Sequence, residues 1–553
     1  MGRIKLLICL LIWTSMVELA AQDRYAVFYK FKPQVNFSLD HPEDFLSQKS
    51  LARRTREGVV ADSLDLPVAQ KYVDEVDQKS HYILYSSKWF NATIVVTDAE
   101  RVKEILAFPF VDRVELVGHG FIPNPNARTG KTIYDSARNK FCPPTSESAR
   151  LLATNEEVYD FQNNLLAIDK MHEEGYTGKG VTIAVFDAGF PGADVASPLV
   201  HLQGSGQIIG TRDFVRPWNQ NVYSDNQHGT NVLSLIASNE AGKLVAGAPD
   251  ANYILAMTEE VATEYWVEEY NWVRAAEYAD SLGADIINSS LGYLDFDDPE
   301  MTYTLDDLDG ETTIIARGAT IASNKGILVI NSAGNYGSSE SSLSSPSDAK
   351  GILAIGSVTR DLSVSGFSSR GPTGDGRIKP DLAAFGSGTA LIRANGQVGY
   401  SNGTSFSAPQ IAALAAGLWE AKPEWTKDKL VESLLNSGTQ ADDPDNLLGY
   451  GIPNFFDALY GEILNVDGNE KAVEWKVYPN PLPGDELQIY FGNSLHADFT
   501  LIDLNGRILE HKSLERPSVK EPFSILLEGV KSGFYIIQLQ EGALIKQSKI
   551  VRQ

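Results

Sequence analysis

At 553 residues the chain exceeds one ordinary domain and can bury several cores. Its 43% hydrophobic and 22% charged content are globular values, which excludes a chain disordered as a whole. A formal net charge of −25, from 47 Lys and Arg against 72 Asp and Glu, excludes nucleic acid or an anionic membrane as the main partner.

The first element is an export signal over residues 1–21. Arg3 and Lys5 precede the apolar run Leu6 to Trp13, too short for a stable anchor, and Ala20-Ala21 offers small residues for cleavage before Gln22. Removal takes Cys9 with it and leaves Cys142 alone, so no internal disulfide is expected. No later stretch has the length and hydropathy of a transmembrane anchor.

Residues 22–155 read as a small α+β module with a polar, cleavable linker at its end. Tyr25–Phe31 has strand composition, Pro42–Arg56 has helical character, and Tyr82–Val96 alternates as one or two strands. Asp98 is placed to cap a helix through Leu106, Val111–Val117 forms the last strand, and Pro123–Asn155 is loop-like. Residues 156–460 carry short apolar runs at Val181–Phe186, Ala284–Asn288, Gly326–Asn331 and Ile352–Val358, separated by helical patterns. That pattern predicts an α/β domain with a parallel sheet covered on both faces, whose chemistry gathers at the carboxyl ends of the strands. After a polar linker over 461–473, residues 474–553 show runs at Leu487–Tyr490, Phe499–Ile502, Phe523–Leu527 and Phe534–Leu539. Turns at Asn505-Gly506 and Ser532-Gly533 make them a small antiparallel β-sandwich.

Within the large domain, Gly403-Thr404-Ser405-Phe406-Ser407-Ala408-Pro409 runs into the Ala-rich segment Ile411–Trp419, a buried helix. Ser405 then sits at a helix N-terminus, where backbone N–H groups and the helix dipole favour negative charge, and Pro409 falls in the first turn. A small turn of this kind can expose a nucleophile and stabilise an oxyanion beside it, although alone it also reads as an ordinary capped helix. Asp187 closes the run Val181–Phe186, where an acid can orient a histidine; in isolation a turn aspartate is the plainer reading. His228 opens His228-Gly229-Thr230 ahead of a helical pattern and is suited to general-base work near neutral pH, or equally to capping. Asn335, in Ser332-Ala333-Gly334-Asn335, can donate to an oxyanion or serve as a loop Asn after Gly. Ser290-Leu291-Gly292, at the end of a core strand, can pair with an extended peptide.

In chain order these are Asp187, His228, Asn335 and Ser405, which is the order of subtilisin and not of chymotrypsin or the α/β-hydrolases. With the Gly-Thr-Ser-Phe-Ser-Ala-Pro and His-Gly-Thr runs, and Val245–Ala251 following the His helix, residues 156–460 resemble a subtilisin-family (subtilase) serine protease. The resemblance implies a three-layer α/β fold and an endopeptidase made as a zymogen, with Asp187 as orienting acid, His228 as base and Ser405 as nucleophile. It implies Asn335 and the Ser405 N–H as oxyanion donors, and Ser290, Leu291 and Gly292 along the substrate strand. Two positions depart from the family: Ala188 follows the acid where Thr or Ser is usual, and Asn231 stands where a second His is common.

The flanking units extend the resemblance. Residues 22–117 resemble the inhibitory propeptide of such proteases. Tyr478-Pro479-Asn480-Pro481, Asp503-Leu504-Asn505-Gly506-Arg507, Gly533-Phe534-Tyr535 and Lys549-Ile550-Val551-Arg552 resemble the sorting domain of Bacteroidetes-type type IX secretion. Partners implied are a protein or peptide substrate, the chain's own propeptide and the type IX secretion machinery; location is secreted or at the cell surface, beyond the outer membrane. The chemistry requires no cofactor. Family members often hold structural calcium, and Asp295, Asp297, Asp298, Asp306, Asp307 and Asp309 can supply hard oxygen ligands, but their spacing matches no calcium loop and no metal ligand is assigned. Two other classes share these residues: a non-catalytic surface binding protein on the same scaffold, and a peptide ligase or cyclase that passes the acyl group to an amine.

Overall fold

The computed structural model describes residues 22–121, 157–339, 341–464, 475–491, 495–503, 506–516, 522–541 and 544–552. The expected signal and the stretch Pro123–Asn155 lie outside them. The chain divides into two units between Leu459 and Tyr460. The linker expected over 461–473 starts as the end of a helix, Phe455–Leu464. Among the described residues no helix is long and apolar enough to cross a membrane.

The first unit is built on a seven-stranded sheet in which every pairing is parallel. In spatial order its strands are Leu382–Phe385, Leu353–Val358, Leu328–Ser332, Ile286–Ser289, Thr182–Asp187, Asn252–Met257 and Ile208–Asp213. The four runs expected from sequence are all here and are buried along their whole length, because helices cover both faces. Helices His228–Ala237 and Ala408–Ala421 pack together on one face. Val267–Leu282 and Ile314–Asn324 cover the other, where Trp272 is fully buried edge-on to Phe186 at 5.4 Å and donates to Ser289 Oγ at 3.0 Å. This is the expected three-layer α/β domain. Ordering the sheet this way makes neighbours of the strands that end at Ser332, Ser289 and Asp187, so their carboxyl-end loops converge.

Residues 22–121 form a four-stranded antiparallel sheet in the order Tyr82–Ser87, Ala92–Thr97, Gln22–Tyr29, Val111–Phe121. Asp98 caps Ala99–Leu106 as expected, accepting from Glu100 N and Arg101 N at 3.0 Å each. The single helical stretch expected over Pro42–Arg56 is instead a 3-10 turn, Pro42–Asp44, and a helix Gln48–Glu57 started by Ser47. A second helix, Gln70–Asp77, has no side-chain cap and left no start signal in the sequence. One face of this sheet packs under the module's own residues, Val76, Ile105 and Phe110. The other, with Ala26, Phe28, Ile94 and Val96, packs on Val267, Tyr270 and Ile314 of the large domain.

Charges also cross this contact. Arg53 and Arg54 both reach Asp280, at 2.5 and 2.8 Å, and Lys325 reaches Asp65 at 3.1 Å; all five side chains are buried. Glu277 accepts from Trp89 N at 2.9 Å and from Ser87 Oγ at 2.5 Å.

In the second unit, a three-stranded antiparallel sheet (Trp475–Tyr478, Glu486–Phe491, Phe523–Leu526) and a four-stranded one (Ile508–Glu515, His496–Asp503, Gly533–Glu541, Leu544–Arg552) enclose one apolar core. Leu487 and Ile489, Phe499 and Leu501, and Ile537 and Leu539 enter it at the two-residue spacing of a half-buried strand. This is the small sandwich expected from the strand runs.

Candidate active site

Asp187 is the last residue of its strand and is fully buried. Its carboxylate accepts the His228 Nδ1–H, with Oδ1 and Oδ2 at 3.0 and 2.9 Å. The missing hydroxyl at position 188 is partly replaced by the backbone, for Ala188 N–H donates to Asp187 Oδ1 at 2.7 Å. His228 begins its helix and can reach the strand end because residue 229 has no side chain: a Cβ there would lie 2.3 Å from Gly189 O and 2.9 Å from Asp187 Cβ. Asn226 Oδ1 accepts the His228 backbone N–H at 2.9 Å and fixes the turn into the helix. The Phe406 ring lies 5.5 Å from the imidazole, which brings the turn holding Ser405 against His228.

Ser405 lies in a 3-10 turn, Thr404–Phe406, directly before helix Ala408–Ala421, with Pro409 in that helix's first turn. It is 4% exposed. Its hydroxyl donates to Ser290 O at 3.2 Å, long for an O–H donor, and Ser290 Oγ in turn donates to Ser405 O at 2.9 Å. The nucleophile candidate and the substrate-strand candidate are therefore stitched together. Asn335 follows the strand Leu328–Ser332, and its side-chain oxygen accepts from Thr404 N and Thr404 Oγ1, both at 3.0 Å. With Oδ1 held there, the Asn335 amide N–H groups face away from Thr404. Gly334 makes that turn possible: its φ is +115°, and a Cβ would fall 2.7 Å from Ser344 Oγ.

Ser290, Leu291 and Gly292 line one pocket with Asn335 and Ser405. All the site residues singled out from sequence are thus at one end of the sheet. Thr404 as the anchor of Asn335, and Phe406 as the wall of His228, were not singled out. Both lie in the Gly403–Pro409 run, but their contacts join residues 69 to 178 positions apart and leave no local pattern. Glu259, which also lines the pocket, gave no signal either. The acidic loop is occupied with turns: Asp297 accepts from Glu264 N, Asp298 from Glu300 N, Asp307 from Thr304 N and Asp309 from Glu311 N. Among the described residues no group of three or more His, Cys, Asp or Glu is arranged to hold a metal ion.

A strand-end carboxylate holding a histidine, beside a turn serine and an amide donor, is a constellation suited to acyl transfer. Comparison with known proteins agrees. Residues 178–451 match the subtilase family, 24–130 the peptidase S8 propeptide domain of Bacteroidota, and 476–553 the secretion system C-terminal sorting domain. Residues 178–451 are a subtilase-family domain, and the protein is a subtilisin-like serine endopeptidase with a propeptide domain and a sorting domain that directs it out of the cell. Similar proteins include serine protease AprX of Bacillus subtilis (strain 168), 29% identical over 323 residues, spanning 52% of this chain and 67% of the relative. Subtilisin of Bacillus pumilus is 29% identical over 275 residues, 49% of this chain and 87% of that protein. The crystal structure of MycP1 from Mycobacterium smegmatis aligns over 59% of this chain and 89% of its own, with a TM-score of 0.45 and 23% identity, too slight a likeness to bear weight.

Proposed function

We propose that this protein hydrolyses peptide bonds in proteins or peptides outside the cell through an acyl-enzyme on Ser405. The reading is supported above all by the buried Asp187–His228 pair, with the Ser405 turn packed on the same imidazole. For attack, the Ser405 hydroxyl turns from Ser290 O to His228 Nε2, giving up a long hydrogen bond. His228 takes the hydroxyl proton as Oγ bonds to the peptide carbonyl carbon. Asp187 holds the imidazole in the Nδ1–H tautomer and stabilises the imidazolium. The oxyanion is met by the Asn335 side-chain amide and the Ser405 backbone N–H, a contribution of about 100- to 1,000-fold in turnover for one such donor. His228 then protonates the leaving amine. It next deprotonates a water that attacks the ester, and the acid product leaves as Ser405 regains its proton. The Ser290–Gly292 backbone pairs with the substrate strand. These steps use the protein's own groups and no cofactor. Residues 22–121 hold the enzyme as a zymogen until they are removed, and the sandwich engages the type IX secretion machinery.

The test is mass spectrometry of a mixed peptide library incubated with the propeptide-free protein, beside its Ser405→Ala variant. Cleavage only with Ser405 intact is expected. Cleavage by both would overturn the assignment. No cleavage by either would favour a non-catalytic binding protein, and products heavier than the substrates would favour a ligase.

A further inference from the structure

The pocket beside Ser405 is blocked by a single serine. Ser290–Gly292 line it on one side, Ser332 and Gly334 on the other. Neither Gly292 nor Gly334 carries a side chain, so a deep cleft could lie between the two strand ends. Ser344, fully buried, fills that space instead. A Cβ on Gly292 would lie 2.1 Å from Ser344 Oγ and 2.9 Å from Ser344 Cβ, and one on Gly334 would lie 2.7 Å from the same Oγ. What is left of the pocket is about 20 Å³, room for about one water molecule.

Ser344 is also held in place from both sides. Its backbone N–H donates to Ala333 O at 3.3 Å, next to Gly334. The following residue, Ser345, exchanges both backbone hydrogen bonds with Tyr293 at 2.8 and 2.9 Å, next to Gly292. The Ser345 hydroxyl is paired with Thr313 Oγ1 at 2.5 Å. Turning the Ser344 hydroxyl to another rotamer would leave its Cβ against Gly292. The pocket therefore does not deepen without moving anchored backbone, and closely packed interiors resist such shifts.

We infer that Ser344 is a specificity-determining residue that restricts the carbonyl side of the scissile bond to small side chains, alanine foremost, then glycine and serine. This rests on the acyl-transfer reading above. A carbonyl held between Ser405 and Asn335 belongs to a residue whose side chain starts two bonds from the attacked carbon, at the mouth of the pocket those two residues line. A methyl group is about the size of a water molecule and fills the remaining space. Leucine, phenylalanine and lysine side chains are several times larger and enter only by displacing Ser344 or its neighbours. Overfilling a packed site is destabilising, and here that cost falls on the bound substrate.

The experiment measures kcat/KM on one peptide series differing only in that residue (Gly, Ala, Ser, Leu, Phe, Lys), with the propeptide-free enzyme and its Ser344→Gly variant. Wild type should favour Ala over Leu, Phe and Lys by about 100-fold. Ser344→Gly removes the obstruction and should bring the Ala-to-Leu ratio down to about 10-fold or less. Ser344→Ala, which removes only the Oγ, should move the ratio the same way by a smaller step, and serves if the glycine variant fails to fold. Ser405-dependent cleavage that favours Leu, Phe or Lys, or shows no preference, would overturn the specificity while leaving the protease reading standing. So would an Ala-to-Leu ratio that stays at its wild-type value in a folded Ser344 variant. Cleavage of none of the six, or cleavage that survives Ser405→Ala, would overturn both.

Discussion

The two small β modules that flank the protease solve the same problem in opposite ways. The C-terminal sandwich has two sheets and closes its apolar faces on each other around Phe499, Leu501 and Ile537. The N-terminal module has one sheet. It covers one face with its own helices and leaves Ala26, Phe28, Ile94 and Val96 to be covered by helices of the protease. It also buries Arg53 and Arg54, whose partner Asp280 belongs to the protease, while Asp65 of the module receives the protease's Lys325. Desolvated charges of this kind are tolerable only while both halves are present. The N-terminal module is thus incomplete without the protease, and the C-terminal sandwich encloses its own core.

The comparison breaks most plainly if the modules are made alone. Residues 474–553 should unfold cooperatively in denaturant, whereas 22–121 should show no cooperative transition until the protease domain is added. A cooperative transition for isolated 22–121 would contradict the contrast. Next in size, Asp280→Asn leaves the buried Arg53 guanidinium without its ion-pair partner, while Arg54 keeps Asp65. The loss should be about 3–5 kcal/mol of propeptide attachment, read as about two to four powers of ten in the inhibition constant of added 22–121. Phe499→Ala should cost about 3–5 kcal/mol, but only in the sandwich transition, with peptide cleavage unchanged.

The smallest expected effect is a pH dependence at the edge of the same contact. His119 of the module bridges Asp298 of the protease at 3.1 Å and its own Asp23 at 3.2 Å, against the Tyr265 ring. The hydrogen bond to Asp298, opposed by partial burial and helped by Asp23, holds its imidazole above the ordinary value. The folded-state value is raised, so this attachment is complete below the usual histidine range and is lost as pH rises through the raised value. Propeptide release should quicken by about 2- to 5-fold across that window in wild type and stay flat in His119→Gln, as followed by release kinetics.

What the sequence made legible follows from burial. Strands at Thr182–Asp187 and Leu353–Val358 are buried on both faces, and their unbroken apolar runs announce it. The edge strand Ile208–Asp213 is half-exposed and carries Gly210, Thr211 and Arg212, so it leaves no unbroken apolar run. The helix Ala99–Leu106 has Asp98 to start it, while Gln70–Asp77 starts from Ala69 and was missed. In the site, Asp187, His228, Asn335 and Ser405 were legible because each sits in a short run of small residues at an element's end. Thr404 anchors Asn335 through a contact 69 positions apart in the chain, which only folding brings near.

The most direct test of the central claim is fluorophosphonate labelling of the propeptide-free protein, followed by peptide mapping. One adduct is expected, on Ser405, lost in His228→Ala and restored to the wild-type pattern when 228 is His again. An enzyme that cleaves peptides while Ser405 stays unlabelled, or a label on another residue, would contradict it.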